Sequence, residues 1–332
     1  MSEPTTSTAL ERAIRSQPDE LRRLLAEPVP HEAIERLGEA NRIWLVGTGT
    51  SEHVAELGAS MLHEAGRAAH ATSSMRFVTW GPPIDPRDAV ILISHNAGVE
   101  TAYAWTAYLR ARDAGLPVVA ITRRGGEIPD AVETVEQERS HTYTVSYTGA
   151  LVVLARLAHA LGARGFSAEI LDHVPSAVEA AISSPGTEHL AAPPRLLVLF
   201  GEGPASITAR EGALKCREAA RFPAEGYDVE FLLHGNAVPI TPEDHLIALS
   251  PPDTDGLTDG VARAAETEGV PVTRLAEPAD LPPVLAQIPL VARLQLLALR
   301  LATERGQNPD LVIERAWADE SLWAIGSRSR SD

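Results

Sequence analysis

The chain has 332 residues, 44% hydrophobic and 22% charged, values typical of a globular protein with room for two domains. Its net charge of -16 repels the phosphates of nucleic acid and anionic lipid, which excludes both as expected partners. A single cysteine, Cys216, excludes an internal disulfide and a thiolate zinc site. We therefore expect a cytoplasmic protein with no metal and no cofactor.

The first 38 residues are predicted to form two helices, separated at Pro28 and Pro30. After them, short apolar runs alternate with longer amphipathic stretches, the pattern of a parallel sheet covered by helices. We assign residues 39–184 to a first domain. Its strands are expected at residues 42–47, 89–94, 117–122 and 141–146.

The second half, residues 185–332, repeats the order of the first and ends in a C-terminal tail. At one offset, Gly47-Thr48-Gly49 aligns with Gly201-Glu202-Gly203, and Gly58 aligns with Gly212. The sequence therefore predicts an α/β protein with two tandem domains. Each is expected to be a parallel sheet flanked by helices, in a flavodoxin-like three-layer sandwich. The apolar stretch near the end, residues 281–302, is interrupted by polar residues, and its later part predicts a core helix, not a membrane span.

Two loops of the first half have the composition of a site for an oxyanion or for sugar hydroxyls. Thr50 and Ser51 follow the first strand at the start of a helix, where free backbone N–H groups favour an anion. The alternative is that one of them caps the helix. The loop after the next strand carries Ser94, His95, Asn96 and Thr101. Because the carboxyl ends of parallel strands meet at one edge, we expect both loops to line one crevice.

In the second half, Glu211, Lys215 and Glu218 are spaced i, i+4 and i+7, so they share one face of a helix expected over residues 205–221. A solvent-exposed row of salt bridges is the alternative interpretation. Downstream, His234 precedes a glycine at the end of an apolar run, where a turn can present its imidazole. Glu218 and His234 are suited to moving a proton between neighbouring sugar carbons, with Lys215 stabilising negative charge.

These segments resemble a known family. The strings Glu211-Gly212-Ala213-Leu214-Lys215-Cys216-Arg217-Glu218, Ala224-Glu225-Gly226-Tyr227 and His234-Gly235 are similar to those of the isomerase half of glucosamine-6-phosphate synthase and related sugar isomerase (SIS) domain proteins. The resemblance implies a double SIS architecture, a homodimer, and a sugar phosphate bound by the first half.

The resemblance also implies roles for individual residues. Lys215 and Glu218 match catalytic residues of the family, and His234 matches its ring-opening histidine, which the neighbouring subunit supplies in that family. Glu225 matches a family glutamate and is expected among the substrate-binding residues. The hydroxyls of the phosphate loops match Ser51, Ser94 and Thr101.

Departures from the family pattern shape the expected activity. We expect no glutaminase domain, so the chain alone is not expected to be a complete glutamine-dependent synthase. The loop from Ser94 to Thr101 has two extra residues and one hydroxyl fewer than the family loop, and Trp317 stands near the family's Schiff-base lysine. These changes favour a deaminase or deglycase that releases amine from an amino or keto sugar.

Three alternatives stay open. One is an aldose–ketose isomerase that uses Glu218 and His234 without releasing amine. Another is a non-catalytic sugar-binding regulatory protein. The third is an unphosphorylated substrate, in which His95 and Asn96 bind hydroxyl or carboxylate groups where the family holds phosphate. We expect Trp317 to line this pocket or, alternatively, to be an aromatic residue that packs in a core or in the tail.

Overall fold

The computed structural model describes residues 7–81, 83–96, 102–250, 255–277 and 280–325. The two predicted N-terminal helices are present as α1 (Ala9–Ala26) and α2 (His31–Gly38), with Pro30 directly before α2. The chain divides into two compact units, each with its own sheet. The first-sheet unit comprises Glu20–Gln137, Ser146–Asp172 and Ile313–Asp332, and the second-sheet unit comprises Met1–Asp19, Glu138–Val145 and His173–Val312. The domain limits 1–38, 39–184 and 185–332 stay a prediction.

The first sheet has five parallel strands. In chain order its elements and the helices that follow it are β1 (Arg42–Gly47), α3 (Thr50–Glu64), β2 (Ala69–Ser73), α4 (Ser74–Thr79), β3 (Asp88–Ile93), α5 (Ala102–Asp113), β4 (Val118–Thr122), β5 (Val132–Glu133), α6 (Val145–Ala160) and α7 (Ala168–Ser183). The spatial order is β2-β1-β3-β4-β5. Val46 of β1 is level with Leu92 of β3, so the loops that leave these two strands start side by side.

The second sheet has four parallel strands. Its elements are β6 (Leu197–Gly201), α8 (Pro204–Ala220), β7 (Ala224–Asp228), α9 (Val229–Phe231), β8 (His245–Ser250), α10 (Leu257–Thr267), β9 (Val272–Ala276) and α11 (Gln287–Glu304), followed by a 3-10 turn (Arg315–Ala318) and α12 (Glu320–Ala324). The order β7-β6-β8-β9 repeats that of the first four strands. Along β6, Leu199 packs into the core with α8 and α11, whereas Phe200 packs into the core with α10. Helices therefore cover both faces, as the predicted three-layer class requires.

The aligned glycines Gly58 and Gly212 have the same structural task. A Cβ at Gly58 would lie 2.8 Å from Leu45 on β1, and a Cβ at Gly212 would lie 2.9 Å from Leu199 on β6. In each repeat, the helix after the first strand can pack this closely on that strand only because the residue has no side chain. The repeat seen in the sequence is thus a repeat of packing.

The strand expected at residues 141–146 is wrong. Helix α6 begins at Val145, and the segment before it is an irregular turn in which the Glu138 carboxylate accepts hydrogen bonds from the Thr144 backbone N–H at 3.1 Å. Residues 142–145, in which Thr alternates with Tyr and Val, fit the pattern of a strand. In the structure, the Glu138 carboxylate accepts an N–H at the start of α6, so this segment leads into a helix. The fifth strand of the sheet is the short β5.

The apolar stretch near the end of the chain forms α11, whose buried residues include Leu290, Leu294, Leu297 and Leu301. It is a core helix of the second-sheet unit, as predicted. No helix among the described residues has the length and apolar character needed to cross a membrane.

Candidate active site

Helix α8 holds a buried cluster of one cation and two carboxylates. The Lys215 ammonium nitrogen lies 2.6 Å from a Glu218 carboxylate oxygen and 3.3 Å from a Glu211 oxygen. The side chains of Lys215 and Glu211 are 0% exposed, and that of Glu218 is 21% exposed. The interpretation of these residues as a solvent-exposed row of salt bridges is therefore wrong. Only Glu218 can reach a ligand.

The electrostatics of the cluster separate the roles of its members. Burial disfavours the Lys215 ammonium, but the charges of Glu211 and Glu218 outweigh it and raise the pKa of Lys215. Burial raises the pKa of Glu218 above its ordinary value, although Lys215 opposes the rise. The result is a fixed ammonium beside a carboxylate with strengthened affinity for a proton, a combination suited to general-base chemistry near neutral pH.

Lys215 is also the only lysine among the 332 residues. A residue type that occurs once in the chain and lies inside this cluster is a signal that the composition already carries. Because the ammonium carries no free electron pair and is fully buried, Lys215 is not available to attack a sugar carbonyl. Its neighbour Cys216 is buried as well, and burial raises the pKa of its thiol to about 12, so it is no nucleophile.

His234 lies on a sharp turn, as predicted. The Asp228 carboxylate accepts the Glu230 N–H at 2.9 Å and starts the short helix α9, and the wider turn Leu232–Asn236 follows. Gly235 has φ of 107°, a backbone conformation that favours glycine and turns the chain directly after His234. The imidazole is 75% exposed and lies 4.0 Å from Glu230.

Glu225 lies on β7, next to β6 in the second sheet. Its carboxylate accepts a hydrogen bond from the Tyr227 hydroxyl two residues further along the same strand. Burial and the Glu225 charge raise the pKa of Tyr227 to about 12. Glu225 and Tyr227 thus form an ordered polar pair, and the role of Glu225 in substrate binding stays a prediction.

The loops after β1 and β3 meet where the strand order of the first sheet reverses, the place where open parallel sheets bind ligands. Thr50 and Ser51 are the first two residues of α3, and the N-cap is Gly49, which makes no side-chain cap. The interpretation of Thr50 or Ser51 as the helix cap is therefore wrong. Around the start of α3, the Ser51 and Glu52 backbone N–H groups already donate to the Thr48 carbonyl at 3.1 Å and to the Gly49 carbonyl at 2.9 Å. The helix dipole still favours a negative charge at this end.

Ser94 directly follows β3 and is buried, and its backbone N–H donates to Ile121 at 3.1 Å. His95 and Asn96 come next and are partly buried. Burial, reinforced by the charge of Arg123, lowers the pKa of His95 to about 4, so this imidazole is neutral at pH 7. Thr101, the fourth predicted polar residue of this loop, lies outside the described residues.

The equivalent crevice of the second sheet is filled by the chain itself. Glu202, which aligns with Thr48, accepts the Thr258 N–H at 2.6 Å and the Asp255 N–H at 3.3 Å at the start of α10. Pro204 and Ala205 replace the two hydroxyl residues that begin α3. A carboxylate of the protein thus occupies the place where an anionic ligand binds at a helix start. Sequence reasoning aligned Glu202 and missed this consequence.

Two further expectations concern Trp317 and metals. Trp317 is 77% exposed, and its carbonyl accepts a hydrogen bond from the Trp323 indole at 2.7 Å, so its interpretation as a core residue is wrong.

Across residues 7–81, 83–96, 102–250, 255–277 and 280–325, no group of three or more His, Cys, Asp or Glu side chains is arranged to hold a metal ion.

Comparison with known protein families matches residues 36–155 to the SIS domain. The matched residues include all five strands of the first sheet. Over a longer stretch, the chain is 24% identical to an isomerizing glutamine–fructose-6-phosphate aminotransferase from Streptococcus pneumoniae, across 91% of this chain and 55% of that protein. The chain thus spans about half the length of the curated relatives it matches, and the matched half confirms the resemblance predicted from the sequence.

Solved structures support the same fold over both sheets. Glucosamine-6-phosphate deaminase from Thermotoga maritima has a TM-score of 0.77 at 18% identity, covering 91% of this chain and 97% of that one. Tagatose-6-phosphate ketose/aldose isomerase from Escherichia coli has a TM-score of 0.78 at 19% identity, covering 96% and 99%. The fold class predicted from the sequence, two tandem parallel sheets flanked by helices, is confirmed.

Proposed function

We propose that this protein acts on an amino or keto sugar, moves a proton at the carbon next to the carbonyl or imine, and releases amine or ammonia. Glu218 is the base at that carbon. His234 is the acid/base for ring opening or for departure of the amine. Lys215 holds its positive charge beside Glu218 and stabilises the negative charge that develops in the reaction.

One observation carries the proposal. The Glu218 carboxylate is the accessible end of an otherwise buried cluster, lies 2.6 Å from the Lys215 nitrogen, and has a raised pKa. A surface ion pair gives a carboxyl no such rise, whereas a general base needs a pKa moved towards the working pH. The arrangement therefore supports catalysis over the regulatory alternative.

The sugar's anionic or hydroxyl groups are proposed to bind at the first crevice. Thr50, Ser51 and Ser94 stand there, with an uncapped helix start between the strand ends. The second crevice holds the Glu202 carboxylate against α10. We therefore propose one substrate site per chain.

Release of amine is favoured over a mechanism with a protein-bound sugar because Lys215 supplies the only ε-amine and is buried as an ammonium. Sodium borohydride, which traps a Schiff base covalently, is expected to leave the protein mass unchanged in the presence of substrate. An aldose–ketose isomerase remains the second candidate. It would use the same Glu218 and His234, and a ketose/aldose isomerase from Escherichia coli shares the fold.

The exposure of His234 supports a homodimer in which this residue acts on the substrate of a second copy. Phe231 is 65% exposed and Leu233 51% exposed, so the His234 imidazole lies beside apolar side chains that contact water in the single chain. A second copy would bury these side chains and exclude water from His234. Analytical ultracentrifugation is expected to give a dimer, and Phe231→Lys is expected to weaken it.

The test of the proposed function is a panel of amino sugars, each with and without a 6-phosphate, assayed for ammonia or amine release and for ketose formation. Wild type is compared with Glu218→Gln and His234→Ala, with Glu268→Gln as a control for an exposed carboxylate away from both residues. Loss of turnover in the first two variants alone supports the proposal. Ketose formation without amine release would select the isomerase, and binding without any turnover would select the regulatory alternative.

A further inference from the structure

The loop after β4 carries two consecutive arginines in a chain with a net charge of -16. The charge of Arg124 is already neutralised, because its guanidinium lies 3.2 Å from Glu27 and 3.7 Å from Glu136. Arg124 is also well exposed. It therefore forms a surface ion pair of the common, weak type.

Arg123 differs from its neighbour. Its guanidinium donates to the carbonyl oxygens of Arg124 at 3.1 Å and Gly125 at 3.2 Å, and no carboxylate in the part of the chain that the structure describes forms an ion pair with it. Its Nε–H is buried and has no hydrogen-bond acceptor within those residues. The rest of the guanidinium is partly exposed, so Arg123 keeps its positive charge without a carboxylate partner among those residues and can still reach a ligand.

The position of Arg123 connects it to the first crevice. β3 and β4 are adjacent, and the loops that leave them are joined by a hydrogen bond of 3.0 Å from the Arg123 N–H to the His95 carbonyl. In the opposite direction, the backbone N–H of Ser94, the residue before His95, donates to the Ile121 carbonyl of β4. Arg123 therefore stands at the carboxyl edge of the sheet, directly beside the loop expected to hold the anionic group of the sugar.

His95 does not supply the charge that this loop lacks. Burial, with a further contribution from Arg123, lowers the pKa of His95 to about 4, so the imidazole is neutral at physiological pH. The family pattern provides one more hydroxyl in this loop than Ser94 and the residues after it. A positive charge from the adjacent loop would compensate for that loss.

We propose that Arg123 binds the anionic group of the substrate and sets the preference of the crevice for charged over neutral sugars. This inference rests on the proposed function and names the residue that recognises the charge. A guanidinium offers paired N–H donors that match two oxygens of a phosphate or a carboxylate. Both groups share this chemistry, and the experiment separates them.

The test is calorimetric binding of three probes to the whole protein: inorganic phosphate, glucosamine 6-phosphate and glucuronate. Arg123→Gln is expected to weaken the binding of the preferred anion about 10- to 100-fold, the range for loss of a charge-assisted hydrogen bond. Arg124→Gln, the matched control, is expected to stay within about twofold, since that charge is already paired. The probe with the largest loss identifies phosphate or carboxylate as the recognised group.

Arg123→Lys keeps the charge and removes the planar fork, so it decides the matter even where Arg123→Gln does not fold. Weaker anion binding with an unchanged Tm supports the proposal. Unchanged binding with a lowered Tm means that Arg123 only holds its own loop together and overturns it. No binding of any probe by wild type, or equal losses in the Arg123 and Arg124 variants, also overturns it. Because binding needs no turnover, this failure is distinguishable from loss of the Glu218 chemistry.

Discussion

Replacing Lys215 with methionine removes the cation that Glu211 and Glu218 share. The ammonium lies within 3.3 Å of both carboxylates, and its side chain is fully buried. Methionine occupies a similar volume without charge, so the two carboxylates are left facing each other away from water. Removing one partner of a buried ion pair costs about 3–5 kcal/mol, a large part of a typical unfolding free energy of about 5–15 kcal/mol.

The loss depends on pH in a defined direction. Without the ammonium, burial and mutual repulsion raise the folded-state pKa of Glu211 and Glu218 above their unfolded values. A carboxyl with a raised folded pKa contributes stability that is fully present below its unfolded pKa and is lost as the pH rises through its folded pKa. Lys215→Met is therefore expected to be closest to wild type near pH 5 and furthest from it near pH 8.

The assay is urea unfolding followed by circular dichroism at pH 5, 6, 7 and 8. The double variant Glu211→Gln/Lys215→Met serves as the control, because removal of one carboxylate relieves the repulsion and is expected to recover about 1–3 kcal/mol. A midpoint equal to that of wild type at pH 8 would refute this reasoning. A gap between variant and wild type that stays constant from pH 5 to pH 8 would refute it as well.

Three other results are expected. Glu202→Gln is expected to cost about 1–2 kcal/mol because it weakens the acceptor at the start of α10; thermal unfolding checks this, with the exposed Glu268→Gln as a control that should change little. Wild type is expected to lose stability as the pH falls from about 6.5 to 4, because in this range the His95 imidazole binds a proton in the unfolded chain but stays neutral in the folded protein. His95→Asn should reduce that loss. Urea unfolding free energies that fall equally with pH in the two proteins would contradict it. In protein labelled with ¹⁵N-lysine, the single Nζ resonance of Lys215 is expected to keep its ammonium shift above pH 10.5 and to titrate lower in Glu218→Gln.

The sheets and the crevice were predictable because they depend on local pattern and on the repeat. Strands β1, β3 and β4 lie within a residue of their expected limits, since their continuous apolar runs are flanked by glycine or polar turns. The constant sequence offset between the two halves, which aligns Gly58 with Gly212, predicted the duplicated fold. Confirmation came from the close approach of each glycine to the first strand of its sheet.

Whether the cluster on α8 is buried or exposed was not predictable from the spacing of its residues. Residues at i, i+4 and i+7 share a helix face equally well in water and under another helix, so Glu211, Lys215 and Glu218 looked alike in either case. Their burial depends on tertiary packing, which their spacing along the helix does not reveal. The filling of the second crevice was unpredictable for the same reason, because the contact between Glu202 and Thr258 joins residues that are far apart in sequence. The wrong strand at 141–146 arose because its β-type alternation competes with a carboxylate cap that the sequence pattern does not reveal.

The central claim is that Glu218 moves the proton at the sugar carbon next to the carbonyl or imine. Proton NMR in D₂O measures this directly, because removal and return of that proton replaces it with deuterium. With glucosamine 6-phosphate or the active sugar from the panel, wild type is expected to exchange this proton at a measurable rate, and Glu218→Gln about 10²- to 10⁴-fold more slowly, with binding retained. Equal exchange in the two proteins would contradict the account.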